Sequence, residues 1–80
     1  MIKLKNIKKT SENIIECNII PEDSAEMGYM TVDIEKEEVI ECNLPRGYEW
    51  CLNHVSHARN ELMKMVETDN ILNEKNVVWC

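Results

Sequence analysis

The sequence predicts an α+β domain: an antiparallel sheet of four to five strands with one helix packed on one face, in the order β-β-β-β-α-β. Three observations carry that reading. Apolar and polar residues alternate through the first half of the 80 residues, which is the period of a half-buried strand. Near Tyr48 the apolar spacing changes to steps of three and four, the period of an amphipathic helix. Turn chemistry separates the segments, at Pro21-Glu22-Asp23-Ser24, Glu35-Lys36-Glu37 and Pro45-Arg46-Gly47.

The first strand is expected at residues 2–7, where Ile2 and Leu4 alternate with Lys3 and Lys5, and residues 8–12 read as a polar turn. The second spans residues 13–20, with Ile15, Cys17 and Ile19 on one face. The third, residues 27–34, places Met30, Val32 and Ile34 together and leaves Tyr29, Thr31 and Asp33 opposite. A hairpin without glycine in its turn leads to the fourth, residues 38–44, with Ile40, Cys42 and Leu44 inward and Glu41 and Asn43 outward. The helix is expected at residues 48–67, its apolar stripe formed by Cys51, Val55, Ala58, Leu62 and Met65, with Glu49 favourable to the dipole at its start. Residues 73–76 read as a turn and residues 77–80 as a last strand carrying Trp79 into the core. The helix must cover the apolar face of the sheet, which otherwise meets water. Following the strand directions gives the order 5-1-2-3-4, with strand four at one edge. One domain accounts for residues 1–80.

Composition narrows the function classes. Charged residues make up 30% and apolar types 44% of a chain with net charge −6, a globular balance. Residues 1–10 hold four lysines and no acid, whereas residues 11–41 hold ten acids and one lysine. An acidic middle repels phosphate backbones, so nucleic acid is not an expected partner. No apolar run is long enough to cross a membrane. The basic start is followed by Thr10, Ser11, Glu12 and Asn13 in place of an apolar signal core, so the expectation is a cytoplasmic protein with reduced thiols. Ile and Asn, nine of each, point to A/T-rich coding of bacterial or mobile-element type.

The cysteines, Cys17, Cys42, Cys51 and Cys80, form no close pair of the kind that marks zinc modules and redox dithiols. Ile15-Glu16-Cys17-Asn18 echoes Ile40-Glu41-Cys42-Asn43, which two strands under one alternation rule would produce. On alternate strands, Cys17 and Cys42 lie roughly 10 Å apart, beyond disulfide reach. On the outer face, Lys3 and Lys5 are expected beside Glu16, and Glu37 and Glu38 to guard the strand-four edge.

The helix start holds the candidate chemistry. Cys51, His54 and His57 recur at three-residue steps and are borderline-soft metal ligands, but such steps drift around a helix by roughly 60° each, and a fourth ligand, such as Cys42, must come from elsewhere. Cys51 with His54, or Ser56 with His57, pairs a nucleophile with a base, yet helix neighbours rarely meet in triad geometry. No phosphate-cradling glycine loop exists with only Gly28 and Gly47 present. No catalytic residue, cofactor or metal is therefore expected. Arg46, Tyr48 and Trp50 combine the residue types that anchor protein interfaces, or else close the end of the core.

Pro21-Glu22-Asp23-Ser24, Gly28, Val32-Asp33 followed by Val39-Ile40-Glu41, and Gly47-Tyr48-Glu49-Trp50 resemble short uncharacterised proteins of Gram-positive bacteria and their mobile elements, over about residues 13–66. The resemblance agrees with the fold and implies no activity. The expected function is a small cytosolic, non-enzymatic protein-interaction or regulatory module. Two alternatives stand beside it: an acidic nucleic-acid mimic that inhibits a DNA- or RNA-binding protein, and a minor metal-binding domain through Cys51, His54 and His57. No membrane partner is expected, and no pattern specifies an oligomeric state.

Overall fold

A computed structural model describes residues 1–22 and 24–78. It contains β1 (Ile2–Ser11), β2 (Ile14–Pro21), β3 (Gly28–Asp33), β4 (Glu38–Asn43), α1 (Leu52–Glu67) and β5 (Lys75–Val77). The strands form one antiparallel sheet in the order β4-β3-β2-β1-β5, with α1 packed on one face. This is the expected α+β fold and the expected strand order.

Strict alternation on β2 builds the centre of the sheet. Ile15, Cys17 and Ile19 are buried, and Met30 and Val32 of β3 lie beside them. Ile2 and Leu4 of β1 extend this layer, and α1 roofs it with Ala58, Leu62, Met63 and Met65. Each large side chain withdrawn from water contributes about 1.5–3 kcal/mol. At Gly28 the chain leaving β4 crosses so closely that a Cβ would strike the Asn43 carbonyl oxygen and come within 2.9 Å of Leu44 Cα and Pro45 Cδ. Only glycine fits that crossing.

Three register shifts among the described residues depart from simple alternation, two on β1 and one on β4. β1 does not stop at residue 7 but runs to Ser11, with register shifts between Lys5 and Lys8 and between Lys9 and Ser11. Asn6 adopts a left-handed conformation (φ 52°), which carries the strand through the irregularity. Ile7 then turns inward and is buried. The shift also re-pairs the lysines. Lys3 faces Ile20 and Lys5 faces Asn18, so Lys8 takes the place expected for them beside Glu16, at 3.6 Å.

On β4 the register shifts between Thr31 and Val32, so Ile40 and Glu41 together oppose one residue. Val39 packs inward against the core and Ile40 points outward, 56% exposed. The expectation that Ile40 faces inward is thus overturned: a single inserted residue reverses the face of everything before it. Cys42 and Leu44 keep their inward placement.

The ends of the last two elements also differ from expectation. α1 begins at Leu52 and not at residue 48, because residues 45–51 form successive turns, with Tyr48 N–H donating to Pro45 O and Cys51 N–H to Tyr48 O, both at 3.0 Å. Glu49 lies outside the helix, and its carboxylate accepts from the Gly47 N–H at 3.1 Å. β5 is Lys75–Val77, so it begins inside the segment expected to turn and takes Val77 from the expected strand, and it pairs with Ile2–Leu4. The expected core packing of Trp79, the placement of Cys80 and the contribution of Asp23 to its turn lie outside the described residues.

Candidate functional site

The segment from Arg46 to His54 joins β4 to α1 and holds every residue singled out for interaction. Gly47 has φ 91°, a left-handed turn that side chains disfavour, and this reverses the chain after Pro45. Tyr48 then folds inward and packs on the core, its ring 6.3 Å from that of His54. Trp50 goes the other way. It is 81% exposed, and Leu52, two residues on, is 72% exposed. The two alternatives for the aromatic pair therefore separate: Tyr48 closes the end of the core, and Trp50 stands in solvent. A core role for Trp50 is excluded by that exposure.

Trp50, Cys51, Leu52, Asn53 and His54 line a shallow concavity of about 280 Å³ at the start of α1. Leu52 was not among the expected site residues. Its signal was present, because it stands about 60° around the helix from Val55, the nearest residue of the stripe, and about 100° from Cys51. Arg46 is exposed at the rim of the same loop. Two large apolar side chains held in water by a turn are costly unless something covers them.

Cys51 sits at the residue preceding α1, and His54 and His57 lie in its first turns, all half-buried. Among the described residues no three His, Cys, Asp or Glu side chains gather into a metal-ligating group. Burial, above all, holds the His54 imidazole below its usual range, with the positive amino terminus and His57 acting in the same direction. His54 thus favours its neutral form.

Cys17, Cys42 and Cys51 carry free thiols. Met30 separates the first two, pairing with Cys17 on one side and Cys42 on the other. Burial chiefly, then Cys42 and Glu16, push the Cys17 thiol up to about 12. Burial also raises that of Cys42. Both favour the protonated thiol, which is a poor nucleophile.

A second concavity, about 340 Å³, lies on the sheet and is lined by Asn6, Lys8, Glu16, Cys17, Asn18, Tyr29 and Met30. Its amides satisfy one another: Asn6 Nδ2 donates to Asn18 Oδ1 at 2.8 Å, and Asn18 Nδ2 donates to Gly28 O at 3.1 Å. Lys8 is paired with Glu16, and the nearby Glu41 carboxylate, as a hydrogen-bond acceptor, chiefly holds the Tyr29 phenol above its usual range. This network ties the β1 bulge to β2.

Among the described residues no helix is long and apolar enough to cross a membrane. The chain matches no protein-family model, no curated protein and no solved structure.

Proposed function

We infer that the chain is a small cytosolic, non-enzymatic protein-interaction module that docks a partner protein through Trp50 and Leu52, with Arg46 at the rim. The 81% exposure of Trp50 carries this reading. Trp and Arg dominate interface energetics, and an indole loses little conformational entropy when it inserts into a partner's pocket. Tyr48 serves as the foot of the loop, anchoring it to the core so that Trp50 is presented on a fixed base. The free thiols suit a reducing compartment.

Affinity capture from the source cell with the wild type and with the Trp50→Ala/Leu52→Ala variant tests the reading. A partner retained by the wild type and lost by the folded variant is expected. An identical set of proteins on both would overturn it.

A second reading draws on the acidic hairpin. Glu35, Glu37, Glu38 and Glu41 are exposed, and the ion pairs formed among the described residues involve none of them. Ordered carboxylates can imitate phosphates, which would make the chain a nucleic-acid mimic that occupies a DNA- or RNA-binding protein. Such binding weakens steeply with salt, and salt-insensitive binding would remove this reading.

A further inference from the structure

The two edges of the sheet carry opposite charge at the same level. At one edge, β4 presents Glu38 and Glu41 and pairs only with β3 among the described residues. At the other, β5 covers only Ile2–Leu4 of β1, and beyond it Ile7 N–H donates to Asn73 O. Lys8, Lys9, Thr10 and Ser11 are all exposed, with β2 on one side and no strand on the other among the described residues. The register links the two edges across the sheet. Lys8 faces Glu16, Glu16 faces Thr31, and Thr31 faces Glu41. Two rows further, Ser11 faces Ile14, Ile14 faces Asp33, and Asp33 faces Glu38. The open end of β1 and the acidic stretch of β4 therefore occupy the same rows. Three antiparallel steps separate them, so they run in opposite directions.

The geometry points to head-to-tail self-association, in which Lys8–Ser11 of one copy adds as an antiparallel strand to Glu38–Glu41 of a second copy. Sliding one copy alongside another brings Lys8 opposite Glu41 without changing register, and continues the sheet with its core face on the same side. Facing opposite charges stabilise such pairs, whereas like charges oppose them. Pairing β4 with β4 sets Glu38 and Glu41 against acids, and pairing β1 with β1 sets lysines against lysines. The edge charges thus block both symmetric dimers and leave the unlike pair, which is how charge on an edge gives selectivity. The contact is heterologous, so growth continues past a dimer. The ladder is short and bulged on both strands, so association is weak and depends on concentration. This contact is independent of Trp50.

Sedimentation velocity over rising concentration tests the proposal. At low salt the mean mass of the wild type should climb past that of a dimer. At about 1 M salt, where the screening length is ~3 Å, it should return to the monomer mass. Lys8→Glu/Lys9→Glu and Glu38→Lys/Glu41→Lys should each associate about tenfold or more weaker alone, and an equimolar mixture of the two should associate again, because each then offers the edge the other needs. Circular dichroism establishes that both are folded. Should either reversal unfold the chain, Lys8→Gln and Glu41→Gln, which neutralise the facing pair, replace them, each lowering association severalfold. A wild type monomeric at every concentration in low salt, growth that stops at a dimer, a mixture of folded variants that stays monomeric, or neutral variants that associate like the wild type would each overturn the proposal.

Discussion

Trp50 and Tyr48 stand two residues apart and end in opposite environments, one in water and one against the core. Their shared aromatic character was legible in the sequence, but their fates were not, because the turns of residues 45–51 replace the helix that spacing alone suggests. His54 shows its environment through pH. Its native pKa lies below the unfolded value of about 6.5, so between the two the unfolded chain binds more protons. Stability contributed by neutral His54 is therefore full above about pH 6.5 and is lost as pH falls towards the native value. Urea unfolding of the wild type and of His54→Asn on either side of pH 6.5 should show a shallower acid loss in the variant. Cys17 is the complementary case. With its thiol raised to about 12 and buried, it should resist alkylation in the native protein at pH 8 and react once denaturant is added, as peptide mass spectrometry would show.

Elements were read best where period and packing agree. β2 obeys strict alternation, and the stripe containing Ala58, Leu62 and Met65 does face the sheet. Leu62 is fully buried at the centre of the roof, so Leu62→Ala should lower unfolding free energy by about 2–5 kcal/mol in urea titration. The bulges were not legible, since an inserted residue leaves no mark in composition and is seen only through the register of its neighbour. Ile40 is the result: an isoleucine in the right phase for the core by count, and out of phase by geometry. The β3–β4 turn did carry a warning, for it lacks glycine. Glu37 takes the left-handed conformation (φ 55°) that glycine would accept without strain, while Asp33 Oδ1 accepts from Lys36 N–H at 3.0 Å to hold the turn. Glu37→Gly should therefore raise the thermal midpoint, equivalent to about 1 kcal/mol of relieved strain. The end of α1 uses the same device. Asp69 (φ 51°) closes the helix while Asn70 N–H donates to Met65 O at 2.9 Å, the 6→1 bond of a helix-ending motif usually built on glycine.

Among the described residues the molecule is a sheet roofed by one helix on one face. The order of elements followed from period and turn chemistry, and the strand order followed from direction, since a helix returning across the meander lets β5 pair antiparallel beside β1. The charge split was also visible in the sequence, but not its meaning, because only the register shows that Lys8 and Glu41 end the same row. The proposed function turns on which exposed feature meets a partner, the Trp50 loop or the acidic hairpin. The dissociation constant of the captured partner, measured by calorimetry for Trp50→Ala and for Glu37→Gln, separates them most directly. Both residues are exposed, so both variants should unfold within about 0.5 kcal/mol of the wild type. Trp50→Ala should weaken binding about tenfold or more, and Glu37→Gln should leave it unchanged. Equal losses, or a loss confined to Glu37→Gln, would contradict the account.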